Sequence, residues 1–210
     1  MWGLYHGKCT ICYDKPNPMR RVGILLGSDG ACSFNNDRRT DRRRGGIGGV
    51  IWKTPTKYNS NYELLIDPVS ENLADYNPPK ITNNFAELQA MLVVLQDLDD
   101  LIRRNDNRDV IQCKKFAFYI DSGYAMNCIF HWIDDWKEKA RERGDGIWLN
   151  EKNRPVIHQE ILERILAILY KRFNEKTRRS LTIYHCRSHK RDTCWVNRSV
   201  DDLAGIGARK

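Results

Sequence analysis

The sequence predicts an α/β domain in which a mixed sheet carries helices on its faces. Two observations lead there. Short apolar runs of strand length, set off by glycines, come first. Segments with helical periodicity then alternate with further strand-length runs.

The elements follow in order. Residues 1–20 lack periodicity and are expected to form an irregular N-terminal extension, with residues 21–210 making one domain. Arg21 to Gly27 is a short apolar run that suits a buried strand, ending at Ser28-Asp29-Gly30. An Arg-rich loop from Asn35 to Arg44 leads through glycines into a second strand ending at Val50-Ile51-Trp52. Tyr62 to Ile66 suggests a third strand, which completes an antiparallel meander, and Asp67 to Lys80 reads as a polar loop. Thr82, Asn83 and Asn84 are good N-cap residues for a helix whose Leu88, Leu92, Leu95, Leu98 and Ile102 share a face. Lys115 to Ile120 is mostly apolar and rich in aromatics, as a central strand covered on both faces would be. A helix is expected through Tyr124 to Lys139, and another over His158 to Phe173. Leu181 to Cys186 reads as the last strand, and a helix from near Ser199 closes the chain.

Composition narrows the class. Hydrophobic residues are 41% and charged residues 30% of the 210, the balance of a soluble globular chain. The net charge of +8 favours polyanionic partners, nucleic acid first among them, although a basic surface alone also accounts for it. Seven scattered cysteines make no disulfide framework, so a reducing compartment is expected; Cys9 and Cys12 have no second pair at zinc-ligand spacing and read as plain thiols. The first twenty residues hold Lys8, Asp14, Lys15 and two prolines, and no stretch approaches the roughly 18 apolar residues of a membrane helix. An intracellular, non-secreted protein without a membrane partner is therefore expected, and it is read as a monomer.

Four acids stand at the ends of these elements. Asp29 ends the first strand and Asp121 the aromatic strand, while Glu87 and Asp201 are expected in the first turns of helices. Sites in open α/β sheets form outside strand ends, so acids remote in sequence can converge there. Converging carboxylates repel unless a proton or cation is shared. A hard divalent cation answers this, Mg²⁺ beside phosphate above all. Spacing alone leaves a plainer alternative open. Asp29 can serve a turn, Glu87 and Asp201 can favour helix N-termini, and Asp121 can cap a helix.

The words around these acids carry a family resemblance. Ser28-Asp29-Gly30-Ala31-Cys32 with Gly46-Ile47-Gly48-Gly49-Val50 resembles the opening hairpin of type 1 ribonucleases H. Thr82-Asn83-Asn84-Phe85-Ala86-Glu87 is similar to that family's Thr-Asn-x-x-Ala-Glu segment, and Ile120-Asp121-Ser122-Gly123-Tyr124 to its Thr-Asp-Ser-x-Tyr/Phe segment. His189, Asn197 and Asp201-Asp202-Leu203-Ala204 resemble its closing block. The four blocks keep the family's order over roughly residues 20 to 210.

The resemblance implies a ribonuclease H-like fold: a five-stranded mixed sheet, its first three strands antiparallel, flanked by helices on both faces. It implies an endonuclease that cuts the RNA strand of an RNA–DNA hybrid. Asp29, Glu87, Asp121 and Asp201 would be catalytic and would hold two Mg²⁺ ions, with Mn²⁺ a possible substitute. Asp201 rather than Asp202 matches the catalytic position, being four residues after Asn197. His189 matches a mobile-loop histidine that assists proton movement or product release.

Asn35, Asn83 and Asn84 match residues touching sugars and base edges of the RNA, where amide groups suit the 2′-OH. Lys80 and Thr82 match a phosphate pocket for the DNA strand. Tyr124, Asn127, Trp132 and Trp136, with Lys137, Lys139, Arg141 and Arg143, fall where cellular members build an aromatic and basic ridge. Core packing is the competing reading of the two tryptophans. Several features depart from the family: Ser28 and Ile120 each replace a threonine, Arg-rich residues lengthen the first hairpin, and His158 stands where an asparagine is common. Two other roles fit the same residues: a non-catalytic nucleic-acid binder that kept the fold, and the nuclease domain of a retroelement. The starting Met1 and the basic helix favour a free-standing enzyme over the latter.

Overall fold

In the computed structural model a seven-stranded mixed sheet runs in the order β1-β7-β6-β2-β3-β4, with β5 also paired to β3. The structure describes residues 5–8, 23–33, 44–55, 61–76, 78, 80–104, 115–186 and 194–210. The strands are β1 (Tyr5–Lys8), β2 (Ile24–Ser33), β3 (Arg44–Lys53), β4 (Glu63–Leu64), β5 (Val69–Asn72), β6 (Phe116–Ile120) and β7 (Leu181–His185). The helices are α1 (Asn83–Arg104), α2 (Gly123–Asn127), α3 (Ile133–Arg143), α4 (Gln159–Ala167), α5 (Glu175–Ser180) and α6 (Trp195–Gly207). Single π-helical turns, Cys128–Trp132 and Ile168–Arg172, follow α2 and α4. None of the described helices is long and apolar enough to cross a membrane.

Alternation along the strands builds a core on each side of the sheet. Ile24 and Leu26 of β2, Ile47 and Ile51 of β3, and Phe116, Phe118 and Ile120 of β6 point toward α1 and the helices beyond it. Leu25, Ala117 and Tyr119 point the other way, toward Val196 of α6. Helix α1 supplies Leu88, Leu92, Leu95 and Leu98 at fully buried positions, the face that its spacing marks out. Buried Asp99 accepts ion pairs from Arg103 at 3.1 Å and Arg172 at 3.2 Å, which pins α1 to the second π turn.

Two glycines set the distances between layers. A Cβ on Gly48 would stand 2.2 Å from the Val200 carbonyl oxygen, so the bare backbone of β3 is what lets α6 lie against the sheet. A Cβ on Gly30 would stand 2.2 Å from the Ala86 carbonyl carbon and 2.3 Å from the Glu87 nitrogen. The chain beside Asp29 therefore touches the backbone of α1 next to Glu87.

Several expectations need correction. The sheet has seven strands, not five. One addition, β1, lies inside the segment expected to be irregular and pairs in parallel with β7, from Tyr5 opposite Thr182 to Lys8 opposite His185. Backbone pairing along the outer edge of β7 holds these four residues, and such pairing leaves no apolar alternation in the sequence. The third strand shrinks to Glu63–Leu64, while polar Val69–Asn72, expected as loop, pairs with β3 from Gly46 to Gly49. Helix α5 has no counterpart in the expected elements. Helix α6 starts at Trp195, one turn before Ser199, so Asp201 is its seventh residue and not in the first turn. Glu87 is likewise the fifth residue of α1.

Candidate active site

Adjacent parallel strands bring the first two acids together. Gly27 of β2 pairs with Tyr119 of β6, so Asp29 and Asp121 each stand two residues further on, at one level and on the α6 side of the sheet. Gly30 turns to the opposite face and admits α1, which delivers Glu87. One carboxylate oxygen from each of Asp29, Glu87 and Asp121 lies within 4.8 Å of the others. Asp201 comes from α6 and bears directly on Asp29, both through its charge and through a side-chain hydrogen bond.

The plainer readings of these acids do not hold. Asp29 lies within a strand, not a turn. Neither Glu87 nor Asp201 sits in the first turn of its helix. The cap of α2 is Ser122, whose Oγ accepts from the Ala125 nitrogen at 3.1 Å, so the Asp121 carboxylate is left for other work.

Crowding shows in the protonation of the cluster. Asp29 is 6% exposed, and its pKa rises from 3.8 to about 8. Burial is the chief cause, followed by the charges of Asp121 and Asp201; the Gly30 nitrogen, donating to Asp29 Oδ1 at 2.8 Å, pulls the other way. Glu87 is raised well above its usual range by burial and then by Asp29 and Asp121. Carboxylates held this close without a counter-charge keep protons that a divalent cation would displace.

Asn197 enters the sequence pattern only as a spacing mark for Asp201. In the structure it is buried and donates from Nδ2 to Asp121 Oδ2 at 3.1 Å, fixing that carboxylate. His185, at the end of β7, places Nε2 3.1 Å from the Asp121 carbonyl oxygen and braces the same residue from behind. The sequence carries a signal for Asn197 in its closing block, but none for His185. His189 and Asn35 lie outside the described residues.

The other expected nucleic-acid contacts divide. Asn84, Tyr124 and Trp132 line one groove of about 520 Å³, together with His158 and the loop from Asn150 to Ile157. Tyr124 stands edge-on to His158 at 5.8 Å and to Trp132 at 6.1 Å, with Phe85 behind His158 at 5.9 Å. Trp136 is buried, as the core reading has it, and Trp132 is half-buried, and both line the groove. Thr82 supports the fold locally, since its Oγ1 accepts from the Phe85 nitrogen at 3.2 Å at the start of α1. Lys80, Asn83 and Asn127 are exposed and do not line this groove. Burial lowers the pKa of His158, so its ring stays neutral, and its buried Nδ1 has no hydrogen-bond partner among the described residues. The loop from Asn150, which brings Lys152 and Arg154 to the groove, gives no sign in the sequence of belonging to a site.

Comparison with known proteins names what this geometry resembles. A family model described as RNase H matches residues 23–209, nearly the whole chain. The chain belongs to the RNase H family. Proteins called Ribonuclease H are its relatives by sequence. One from Prochlorococcus marinus (strain NATL1A) is 25% identical over 141 residues, covering 67% of this chain and 66% of that protein. Another, from Thermosynechococcus vestitus, is 28% identical over 141 residues and covers 67% of each. The matched stretch thus spans about two thirds of these relatives.

Solved structures carry the RNase H fold across most of the chain. LC9-RNase H1, a type 1 RNase H with the type 2 active-site motif, superposes with a TM-score of 0.60 at 16% identity, over 93% of this chain and 74% of that one. The foamy viral protease-reverse transcriptase in complex with RNA/DNA hybrid superposes at 0.59 and 17%, over 93% of this chain and 21% of that one. RNase H enzymes depend on divalent metal, and the three-carboxylate cluster is an oxygen donor set suited to one.

Proposed function

We propose that this chain is an endoribonuclease that hydrolyses the RNA strand of an RNA–DNA hybrid, with two Mg²⁺ ions as its cofactor and Mn²⁺ as a substitute. The observation that carries the reading is the meeting of Asp29, Glu87 and Asp121 within 4.8 Å, from three separate elements, with Asp201 against Asp29. Asp29, Glu87, Asp121 and Asp201 are the residues that would hold the ions. Bound there, divalent cations lower the pKa of attacking water and stabilise charge on the reacting phosphodiester.

The chain's own groups orient these parts. Asn197 holds one Asp121 oxygen and so fixes the carboxylate. The Gly30 nitrogen holds Asp29 Oδ1. The groove of Asn84, Tyr124, Trp132 and His158 takes the hybrid beside the cluster, its aromatic faces against sugars and bases, and Lys152 and Arg154 neutralise phosphates at its edge. The neutral His158 ring offers a nitrogen to the backbone where an asparagine amide is common. Asn35, Lys80, Asn83 and Asn127 extend the contact, and His189 acts on the proton or the departing product.

The test is cleavage of an end-labelled RNA–DNA hybrid in Mg²⁺, beside an RNA duplex, a DNA duplex and an Asp121→Asn control. The expected result is cutting of the hybrid's RNA alone, abolished by the substitution and by chelation. A hybrid that is bound but uncut in both Mg²⁺ and Mn²⁺ would instead make the chain a non-catalytic binder.

A further inference from the structure

The cations of α3 do not share one face. At about 100° per residue, Lys139 falls on the side of Trp132 and Asp135, which border the hybrid groove. Lys137 and Arg141 fall on the other side with Ala140 and Gly144, and this side lines a second cleft of about 670 Å³ between α3 and α4. Nothing in the proposed cleavage reaction uses that cleft.

Its walls are built, not loose. Gly144 and Gly146 take φ values of 71° and 68°, and a Cβ on either would meet nothing within 4 Å, so the turn leaves open space beside it. The Asp145 carboxylate fixes the turn by accepting from Arg143 Nε and from the Ile147 nitrogen, both at 2.9 Å. Gln159 joins the turn to α4: its Nε2 donates to the Gly146 carbonyl and its Oε1 accepts from the Trp148 nitrogen, both at 2.8 Å. Ala140, Leu166 and Ala167 give the cleft a floor of aliphatic side chains, and the aromatic Trp148 and Tyr170 line it as well. Lys137, Arg141 and Lys171 bring positive charge to it. Glu163 is the one acid among the described lining residues, and Gln159 Nε2 donates to it at 2.8 Å.

We infer that this cleft binds a nucleotide, with its phosphates on Lys137, Arg141 and Lys171 and its base on the Ala140–Ala167 floor. Arg141 stands 3.8 Å from Glu138 in an exposed pair and Lys137 lies 5.9 Å from the Trp148 ring centroid, so three cations against one lining carboxylate still favour an anion. The aliphatic floor selects a flat apolar body attached to it, which bare phosphate lacks. The volume falls within the roughly 300–1,000 Å³ of small-molecule sites. The inference stands on the cleft alone and does not depend on the nuclease reading.

The test measures binding of N-methylanthraniloyl-ATP to the full chain in EDTA at moderate salt, by fluorescence anisotropy. Lys137→Glu with Lys171→Glu should weaken binding at least about tenfold. Lys139→Glu with Arg164→Glu makes the same change in net charge off the cleft and should leave affinity within about threefold. Ala167→Phe, which fills the floor without changing charge, should also weaken binding about tenfold, with thermal melts confirming that each variant is folded. Unlabelled ATP should displace the probe at least about ten times better than inorganic triphosphate or polyglutamate. Equal losses in the two charge-reversed pairs, equal displacement by triphosphate or polyglutamate, or no binding at all would overturn the assignment.

Discussion

Replacing Asp29 by Asn should stabilise the metal-free protein while removing one carboxylate of the proposed metal site. Folding raises the Asp29 pKa from 3.8 to about 8. A carboxyl raised in this way contributes stability fully below its unfolded value and loses it as pH rises through the folded value. At pH 7 that is about 3 pKa units already lost, or roughly 4 kcal/mol at 1.36 kcal/mol per unit. For a chain of this size each kcal/mol moves Tm by about 2–4 °C, so the effect is about 8–16 °C. Asn keeps an oxygen to accept the Gly30 nitrogen and carries no charge to bury. The assay is thermal unfolding in EDTA from pH 5 to pH 8. The wild-type Tm should fall relative to the variant across that range, and Asp29→Asn should be the more stable at pH 8. Added Mg²⁺ should raise the wild-type Tm and leave the variant nearly unmoved. A variant that is less stable than wild type at pH 8, or a gap that does not change with pH, would refute the reasoning.

Other outcomes follow from the same geometry. Gly48→Ala should cost at least about 1–3 kcal/mol in denaturant unfolding, since its Cβ would fall 2.2 Å from the Val200 oxygen. Asn197→Ala should lower the cleavage rate while hybrid affinity holds within a few-fold, because it releases Asp121 rather than a substrate contact; single-turnover kinetics and a binding titration separate the two. Trp132→Ala should weaken hybrid binding by about 1–3 kcal/mol, read by anisotropy, and wild-type affinity should fall steeply between low and moderate salt.

Much of this site is legible because local words mark it. Ser28-Asp29-Gly30, Ala86-Glu87 and Asp121-Ser122 mark out the acids, although Asp29 proves to lie inside β2 and Glu87 past the first turn of α1, and the closing Asn197 to Ala204 block points to Asp201 rather than Asp202. The central fold is legible for a related reason: α1 and β6 carry strong apolar patterns. What stays hidden is held by partners remote in sequence. Strand β1 exists through its pairing with β7, and polar β5 through its pairing with β3, so neither needs an apolar run of its own. His185 supports Asp121 only because β7 lies beside β6. The start of α6 reads one turn late because Cys194 at its N-cap makes no side-chain capping bond that a sequence could advertise. Lys152 and Arg154 reach the groove through a loop whose Leu149–Pro155 bridge is likewise a product of folding.

The most direct measurement is the rate of hybrid cleavage by the four single variants Asp29→Asn, Glu87→Gln, Asp121→Asn and Asp201→Asn, with Asp202→Asn as the control and hybrid affinity measured for each. Each of the four should cut at least about a hundredfold more slowly while still binding the hybrid, the scale on which lost electrostatic stabilisation of a transition state is felt. Asp202→Asn should cut like wild type. If any of the four kept a rate near wild type, or if Asp202→Asn were the inactive one, the four-carboxylate centre would be wrong.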